Sequence, residues 1–416
     1  MYNFLKGRLL GVRICLLAAA LVLLVIGMAT IYSVGHPIEK SPASQSDKLI
    51  VYFKKQAIFA VAGLLAFFLV NRINYRRLGE ISYWIFGIGL AALFVLFVSR
   101  YIIPLPFAPE SSTYAHRWLV FHPSLPTIQP SEFFKLAYIL TLAWYLRYRS
   151  NYRRFKALIG PFVLTLLPMG LILLEPDLGT VMLMMPILFT MLFIAGAKGK
   201  HLLLIILMAL LVSPMMWLKM RSYQRIRISS VLLQRADIRS AAENHPWLGD
   251  LLVGEKFTEN KWRNDWGYHL IRSKFAVASG GVNNGMGYGF RKGPFVKYDF
   301  LGERHNDFIF AIIAEQWGFW GGMVLMGLYV IVVACGLRIA ANNTDPFGRL
   351  LAIGIVTMFV VEVIVNIGMT MGIMPITGLT LPFVSYGGSS LIVNMMAVGF
   401  LNNVGRCRPF SLARKI

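Results

Sequence analysis

From Ile14 the chain reads ICLLAAALVLLVIGMATIYS, a stretch with no charged residue. A bilayer core about 30 Å thick is crossed by roughly 20 apolar helical residues, so this run is long enough to span it. No small-residue cleavage site with a polar start follows, and the run reads as a retained first span rather than a signal peptide. Similar runs lie near 56–73, 81–99, 130–147, 158–174, 178–196, 201–218, 307–337, 350–371 and 385–403. They predict an all-α polytopic membrane protein of about ten transmembrane helices. With 57% hydrophobic and 14% charged residues, a soluble chain could not cover its apolar surface.

Lys and Arg number 41 against 19 Asp and Glu, a formal charge of +22 that raises the question of nucleic acid. Position answers it. The N-terminal Lys6, Arg8 and Arg13, and the groups Arg72, Arg76, Arg77, then Arg147 to Lys156, then Lys198 and Lys200, fall in loops that return to one side. Arg338, Arg349 and the tail Arg406, Arg408, Arg414 and Lys415 belong to the same side, whereas 175–177 and 372–384 carry no Lys or Arg. Basic loops mark the cytoplasm, so both termini are predicted cytoplasmic, and RYRSNYRRFK is a topology determinant facing anionic lipid. The cysteines, Cys15 and Cys335 in spans and Cys407 in the tail, suggest neither a disulfide framework nor a zinc site.

One membrane domain fills residues 1–416, with a cytoplasmic tail at 404–416. Two outward segments are long, 100–129 and the large extracytoplasmic loop 219–306 between spans 7 and 8, and loops of that size are usually functional. In the second, Leu270, Phe275 and Val277 have helical spacing before Gly280 and Gly281, as in a short interfacial helix stopped by glycine. GMGYGF at 285–290 follows no strand, so a dinucleotide site is set aside.

Ionisable groups in a bilayer cost roughly 2.5–3.5 kcal/mol each, which makes the few retained ones functional candidates. Asp307, in RHNDFIFAIIAEQWGF, stands where the cationic Arg304 and His305 give way to an apolar helix. Capping that helix and catalysis are both open to it. Glu315 lies about two turns deeper. In TIQPSEFFKLAY, Pro130 suits a first turn, and Glu132 and Lys135 are spaced to pair, either as an exposed pair or as the lining of a headgroup cavity. Asp177 in EPDLGT reads as a cap in a tight turn, and mid-span Glu362 as a partner for a polar group such as Asn366. GLTLPFVSYGGSSL, with Ser385, Tyr386, Gly387 and Gly388, puts helix breakers at membrane depth, which requires burial in protein or a cavity wall.

Five ordered blocks resemble the shape, elongation, division and sporulation (SEDS) family of RodA, FtsW and SpoVE. GLTLPFVSYGGSS is similar to its C-terminal signature, HRWLVFHPSLPTIQPSEFFK to its QPSE-x-x-K segment, and EPDLGT to its QPDLGT. GYHLIRSKFAVASGG and RHNDFIFAIIAEQWG look like its GYQ-x-x-QS and TDFIFA blocks. The resemblance implies a peptidoglycan glycosyltransferase that joins lipid II units at the outer face of the bacterial inner membrane, with a class B penicillin-binding protein as partner. It assigns the essential aspartate to Asp307 and the cavity pair to Glu132 and Lys135. For the leaving undecaprenyl diphosphate, Arg117, Lys135, Lys274 and Arg304 are the candidate cations, and a divalent ion could share that duty although no ligand spacing marks its site. Departures are Arg272 for Gln, Asn284 for Gly, Gly302 for Pro and Gln316 for a second acid. NIGM near 366 leans towards RodA, the elongation type, and the C-terminal block towards FtsW. A flippase of lipid-linked sugars, or a non-catalytic scaffold, are the competing functions.

Overall fold

A computed structural model describes residues 9–37, 46–105, 117–120, 127–148, 154–298 and 300–406, with side chains in the second helix described from Val51 onward. Lys6, Arg8, Arg149, Arg153, Cys407, Arg408, Arg414 and Lys415, used above for topology, lie outside the described residues. The chain forms α1 (Leu10–Gly35), α2 (Ser46–Arg72), α3 (Ser82–Tyr101), α4 (Pro130–Leu146), α5 (Ile159–Leu174), α6 (Leu178–Ile194) and α7 (Gly199–Lys219). After the large loop come α10 (Ile309–Ala341), α11 (Pro346–Thr370) and α12 (Gly388–Arg406). Within the loop, α8 (Ser222–Ser229) and α9 (Tyr268–Ser279) are the two helices that matter below. Among the described residues the only extended pairing is a single bridge between Leu119 and Ile128.

The long helices follow from apolar runs that start at local signals. Pro130 and Pro346 occupy first turns, where a missing N–H costs nothing, and the Asp345 carboxylate accepts from Phe347 N. Among the described residues, seven helices are long and apolar enough to cross a membrane. α4 and α6 have 17 residues each, and α12 carries Asn394, Asn402 and Asn403, which lower its hydropathy. These amides face protein: Asn402 accepts from buried Arg13 at 2.9 Å, and Asn403 donates to Val70 O at 2.8 Å.

α11 sits at the centre, packed against α4, α6 and α10, while α2 and α12 run together along one flank and α1 lies on α10. The Arg76–Asp345 ion pair at 3.3 Å joins two of the basic loops at one end of the bundle. The outward segments gather at the other. There, 219–308 is not an open loop but a helical cap with its own apolar core of Leu233, Val253, Phe257, Trp262 and Leu270. α9 ends at Gly280 as its sequence suggests, but it buries Leu270, Ser273 and Ala276, and Phe275 points outward. The departures from the family pattern are accommodated locally: Asn284 takes the left-handed conformation (φ 56°) that Asn tolerates, and Arg272 lies over the Tyr268 and Phe300 rings. Cys15, exposed on α1, and Cys335, buried on α10, are both free thiols.

Residues 372–387 are non-helical between α11 and α12. Side chains supply what a helix would have satisfied. Asn366 Nδ2 donates to Leu379 O at 2.6 Å, Tyr329 Oη to Pro382 O at 2.6 Å, and Ser385 Oγ accepts from Leu381 N at 2.9 Å.

Candidate functional site

The cap, residues 117–118 and 127–129, the turn before α6 and the 378–390 segment converge on a cavity of about 340 Å³ at the end of the bundle opposite the Arg76–Asp345 pair. Asp307, Asp177, Glu132, Arg117, Arg227 and Tyr386 line it. The carboxylates arise from three separate stretches of chain.

Asp307 precedes α10 but does not cap it, because the helix begins at Ile309 with Phe308 in the cap position and no side-chain cap bond. The capping alternative is thereby removed. Its backbone carbonyl is held by Asn366 Nδ2 at 3.0 Å, and Ser385 Oγ donates to the neighbouring Asn306 O at 2.8 Å. Gly378, in the left-handed region at φ 79°, lies so close that a Cβ there would be 3.5 Å from Asp307 Oδ2. Among the described residues nothing hydrogen-bonds to the carboxylate itself. Burial, helped by the Glu303 charge and opposed by Arg227 and Arg117, pushes its pKa up to about 7.

Asp177 behaves differently. It caps α6, accepting from Thr180 N at 3.2 Å and Thr180 Oγ1 at 2.9 Å, and from Ser131 Oγ at 2.9 Å. Burial opposes its charge, but Arg117 and these bonds hold it below the usual carboxylate range. Arg117 is itself anchored, with Nε donating to Glu175 O at 3.3 Å and Nη2 to Pro176 O.

Arg227, on α8 of the cap, is a cavity residue that lies outside all five family blocks. Its Nη1 is buried with no hydrogen-bond partner, and burial together with the Arg117 charge lowers its pKa. A buried cation with an unsatisfied donor has the chemistry to hold an anion. The signal was available in one respect: Tyr223, Arg225 and Arg227 interleave aromatic and basic residues. Nothing local distinguished Arg227 from Arg225, which donates to the Leu218 and Asp250 carbonyls instead.

The other expected site residues divide. Tyr386, Gly387 and Gly388 line the cavity, with Tyr386 and the stacked pair Tyr52 and His305 (ring centroids 4.4 Å apart) forming an aromatic side. Ser385 lies behind it, bonded to backbone. Lys135 is 1% exposed and clamped by Glu132 at 2.8 Å and Glu362 at 2.7 Å, so its charge is spent within the bundle. Glu362 therefore pairs with Lys135 and not with Asn366. Arg304 is buried and donates to the Phe295 and Val296 carbonyls. Lys274 lies in a second cavity of about 370 Å³ on the cap, donating to Gln234 Oε1 at 2.8 Å. Glu315 accepts from Phe295 N at 2.8 Å and braces the cap instead of the cavity. The described residues bring no three His, Cys, Asp or Glu side chains together in a metal-holding group.

A helical membrane protein with a polar, arginine-bearing cavity at one end is the class that fold and site define. Within that class, the family model for FtsW, RodA and SpoVE, described as cell cycle protein, matches residues 13–408. The chain belongs to this family. It is 33% identical to the peptidoglycan glycosyltransferase RodA of Treponema pallidum, over 94% of this chain and 96% of that one, and 33% identical to stage V sporulation protein E of Bacillus subtilis with the same coverage. Among solved structures, it superposes on a chain from a study of how a peptidoglycan synthase complex coordinates polymerization and crosslinking (TM-score 0.70, 29% identity, covering 94% and 96%). It also matches the rod shape determining protein RodA of Thermus thermophilus (TM-score 0.61, 27% identity, covering 94% and 95%). The chain is thus a multi-pass inner-membrane protein.

Proposed function

We propose that the chain is a peptidoglycan glycosyltransferase that polymerises lipid II at the outer face of the membrane, with both termini cytoplasmic and about ten crossings. The observation that carries the site assignment is the half-buried Asp307 carboxylate, with no hydrogen bond among the described residues and with Arg117 and Arg227 lining the same cavity. In the transfer, the acceptor sugar hydroxyl oxygen attacks the anomeric carbon of the donor. The bond from that carbon to the diphosphate oxygen breaks, with inversion, and the hydroxyl proton passes to Asp307. A base with a pKa near 7 is about half deprotonated at neutral pH and accepts a proton readily. The departing polyprenyl diphosphate gathers negative charge, and Arg117 and Arg227 are placed to meet it. Lys135, Lys274 and Arg304 leave that role because none of them lines the cavity. Asp177 fixes Arg117 and the turn, while the Glu132–Lys135–Glu362 cluster stiffens the cavity floor.

The partner this reading calls for is a class B penicillin-binding protein that crosslinks the strands; NIGM near Asn366 leans towards an elongation role. Purified protein given lipid II is expected to yield glycan strands, and Asp307→Ala to yield none. Equal polymer from that variant would remove Asp307 from the chemistry, whereas lipid II translocation without polymer in protein-only vesicles would replace the enzyme reading with a flippase.

A further inference from the structure

Residues 285–298 run back along the outer end of α10 as an irregular strap. Tyr288 N and Gly289 N donate to Glu315 O and Gln316 O at 3.0 and 2.8 Å, at the point where Gly318 (φ 59°) kinks α10 to admit the Gly285 carbonyl. The strap therefore lies beside residues of an apolar span and not above them. It also meets the end of α1, where Arg291 Nε donates to His36 O and the guanidinium lies 5.8 Å from the Tyr32 ring. Arg291 adopts φ 64°, a left-handed conformation that costs a non-glycine residue roughly 1–2 kcal/mol, and Gln316 Oε1 accepts its N–H at 3.0 Å. Structure is thus invested in fixing one cation.

The strap encloses a cavity of about 470 Å³ lined by Arg291, Lys292 and Lys297, by Tyr288 and Tyr298, and by Pro294, with no acid among its described lining residues. Exposed apolar side chains surround it, with Phe319 63% and Trp320 59% accessible. Cations beside aromatic and exposed apolar side chains are the combination that suits the depth at which headgroups meet hydrocarbon.

We propose that this cavity binds the phosphate of a lipid headgroup, with the acyl or prenyl chain lying against Phe319 and Trp320. The chemistry it selects is a phosphate monoester, diester or diphosphate on a long apolar chain, and two lipids supply it: an anionic phospholipid, or the polyprenyl diphosphate carrier. The site is separate from the Asp307 cavity, so it does not depend on the glycosyltransferase reading.

The test uses the full chain in phosphatidylcholine nanodiscs, titrated separately with phosphatidylglycerol and with undecaprenyl diphosphate, and bound lipid is counted by native mass spectrometry. The variant Arg291→Asn, Lys292→Gln, Lys297→Gln removes the three charges while keeping a residue that tolerates the left-handed conformation. A loss of at least about tenfold in apparent affinity for either lipid supports the site, since a bound charge pair is worth roughly that much, and the lipid affected identifies the source. Unchanged binding of both overturns the proposal. So does an equal loss in Lys198→Gln, Lys200→Gln at the opposite end, which would mark the effect as general surface attraction. If the triple variant melts early, Lys292→Gln with Lys297→Gln carries the same readout without touching the strained residue.

Discussion

Two groups of charged side chains lie within the outer half of this bundle and share Glu132 at their boundary, yet they are built for opposite ends. Around Lys135, one cation faces two carboxylates at 2.7 and 2.8 Å and is sealed from solvent. Around Asp307, two arginines and two aspartates line an open cavity, and among the described residues neither the Asp307 carboxylate nor Arg227 Nη1 has a hydrogen-bond partner. A closed cluster spends its charge on holding helices together. An open one keeps it for a ligand. Burial of a charge is therefore no guide to function until the partners of that charge are known.

The contrast can be broken by substitution. The largest effect is expected from Asp307→Asn, which should lower polymerisation of lipid II by about 10²- to 10⁴-fold while the protein still folds; a loss of less than about tenfold would place the base elsewhere. Lys135→Met should act on stability first, because two buried carboxylates lose their counter-charge, at about 3–5 kcal/mol. Thermal unfolding in detergent reads this, and a variant that melts like the parent but makes no polymer would move Lys135 from the structural group into the chemical one. Adding Glu132→Gln and Glu362→Gln to it should restore much of the melting temperature.

Arg227→Gln should weaken the site's hold on diphosphate by about 10- to 100-fold, the worth of one charged hydrogen bond, with little change in melting temperature. Competition by free undecaprenyl diphosphate measures it. A smaller effect concerns pH. The pKa of Asp307 is raised on folding from 3.8 to about 7, so the folded state holds a proton that the unfolded state has lost between those values. Its contribution to stability is complete below pH 3.8 and is lost as pH rises through 7. Asp307→Asn should therefore raise the melting temperature relative to the parent at pH 8, and the difference should vanish at pH 3.5. The parent's polymerisation rate should fall about tenfold per unit as pH drops below 7. Lys274→Gln is the smallest expected effect, under about twofold on polymerisation, because its ammonium lies on the cap and outside the Asp307 cavity.

What the residues announce in advance is local. Pro130, Asp177 and Pro346 begin helices because a first turn needs a cap or tolerates a missing donor, and those signals lie within three residues of their effect. The membrane spans are equally local, since hydropathy is a property of a run of neighbours. Where α12 falls short in apolarity, its asparagines give the reason, but only the packed bundle shows that Asn402 meets Arg13 and Asn403 meets Val70. The reading of Asp307 as either cap or catalyst stood open for the same cause: a cap is decided by the backbone angle of Phe308, which no sequence pattern states.

From the sequence alone came the membrane class, the helical order, the family blocks and the choice of Asp307, Glu132, Lys135 and Asp177 as residues worth following. Tertiary structure decided which of them face one another. Lys135 and Glu362 are 227 residues apart in the chain and 2.7 Å apart in space, and Arg227 reaches the cavity only because the cap folds back over the bundle. Composition and periodicity carry information over a few turns of helix, whereas the partner of a buried charge is chosen by helix packing across the whole bilayer-sized bundle.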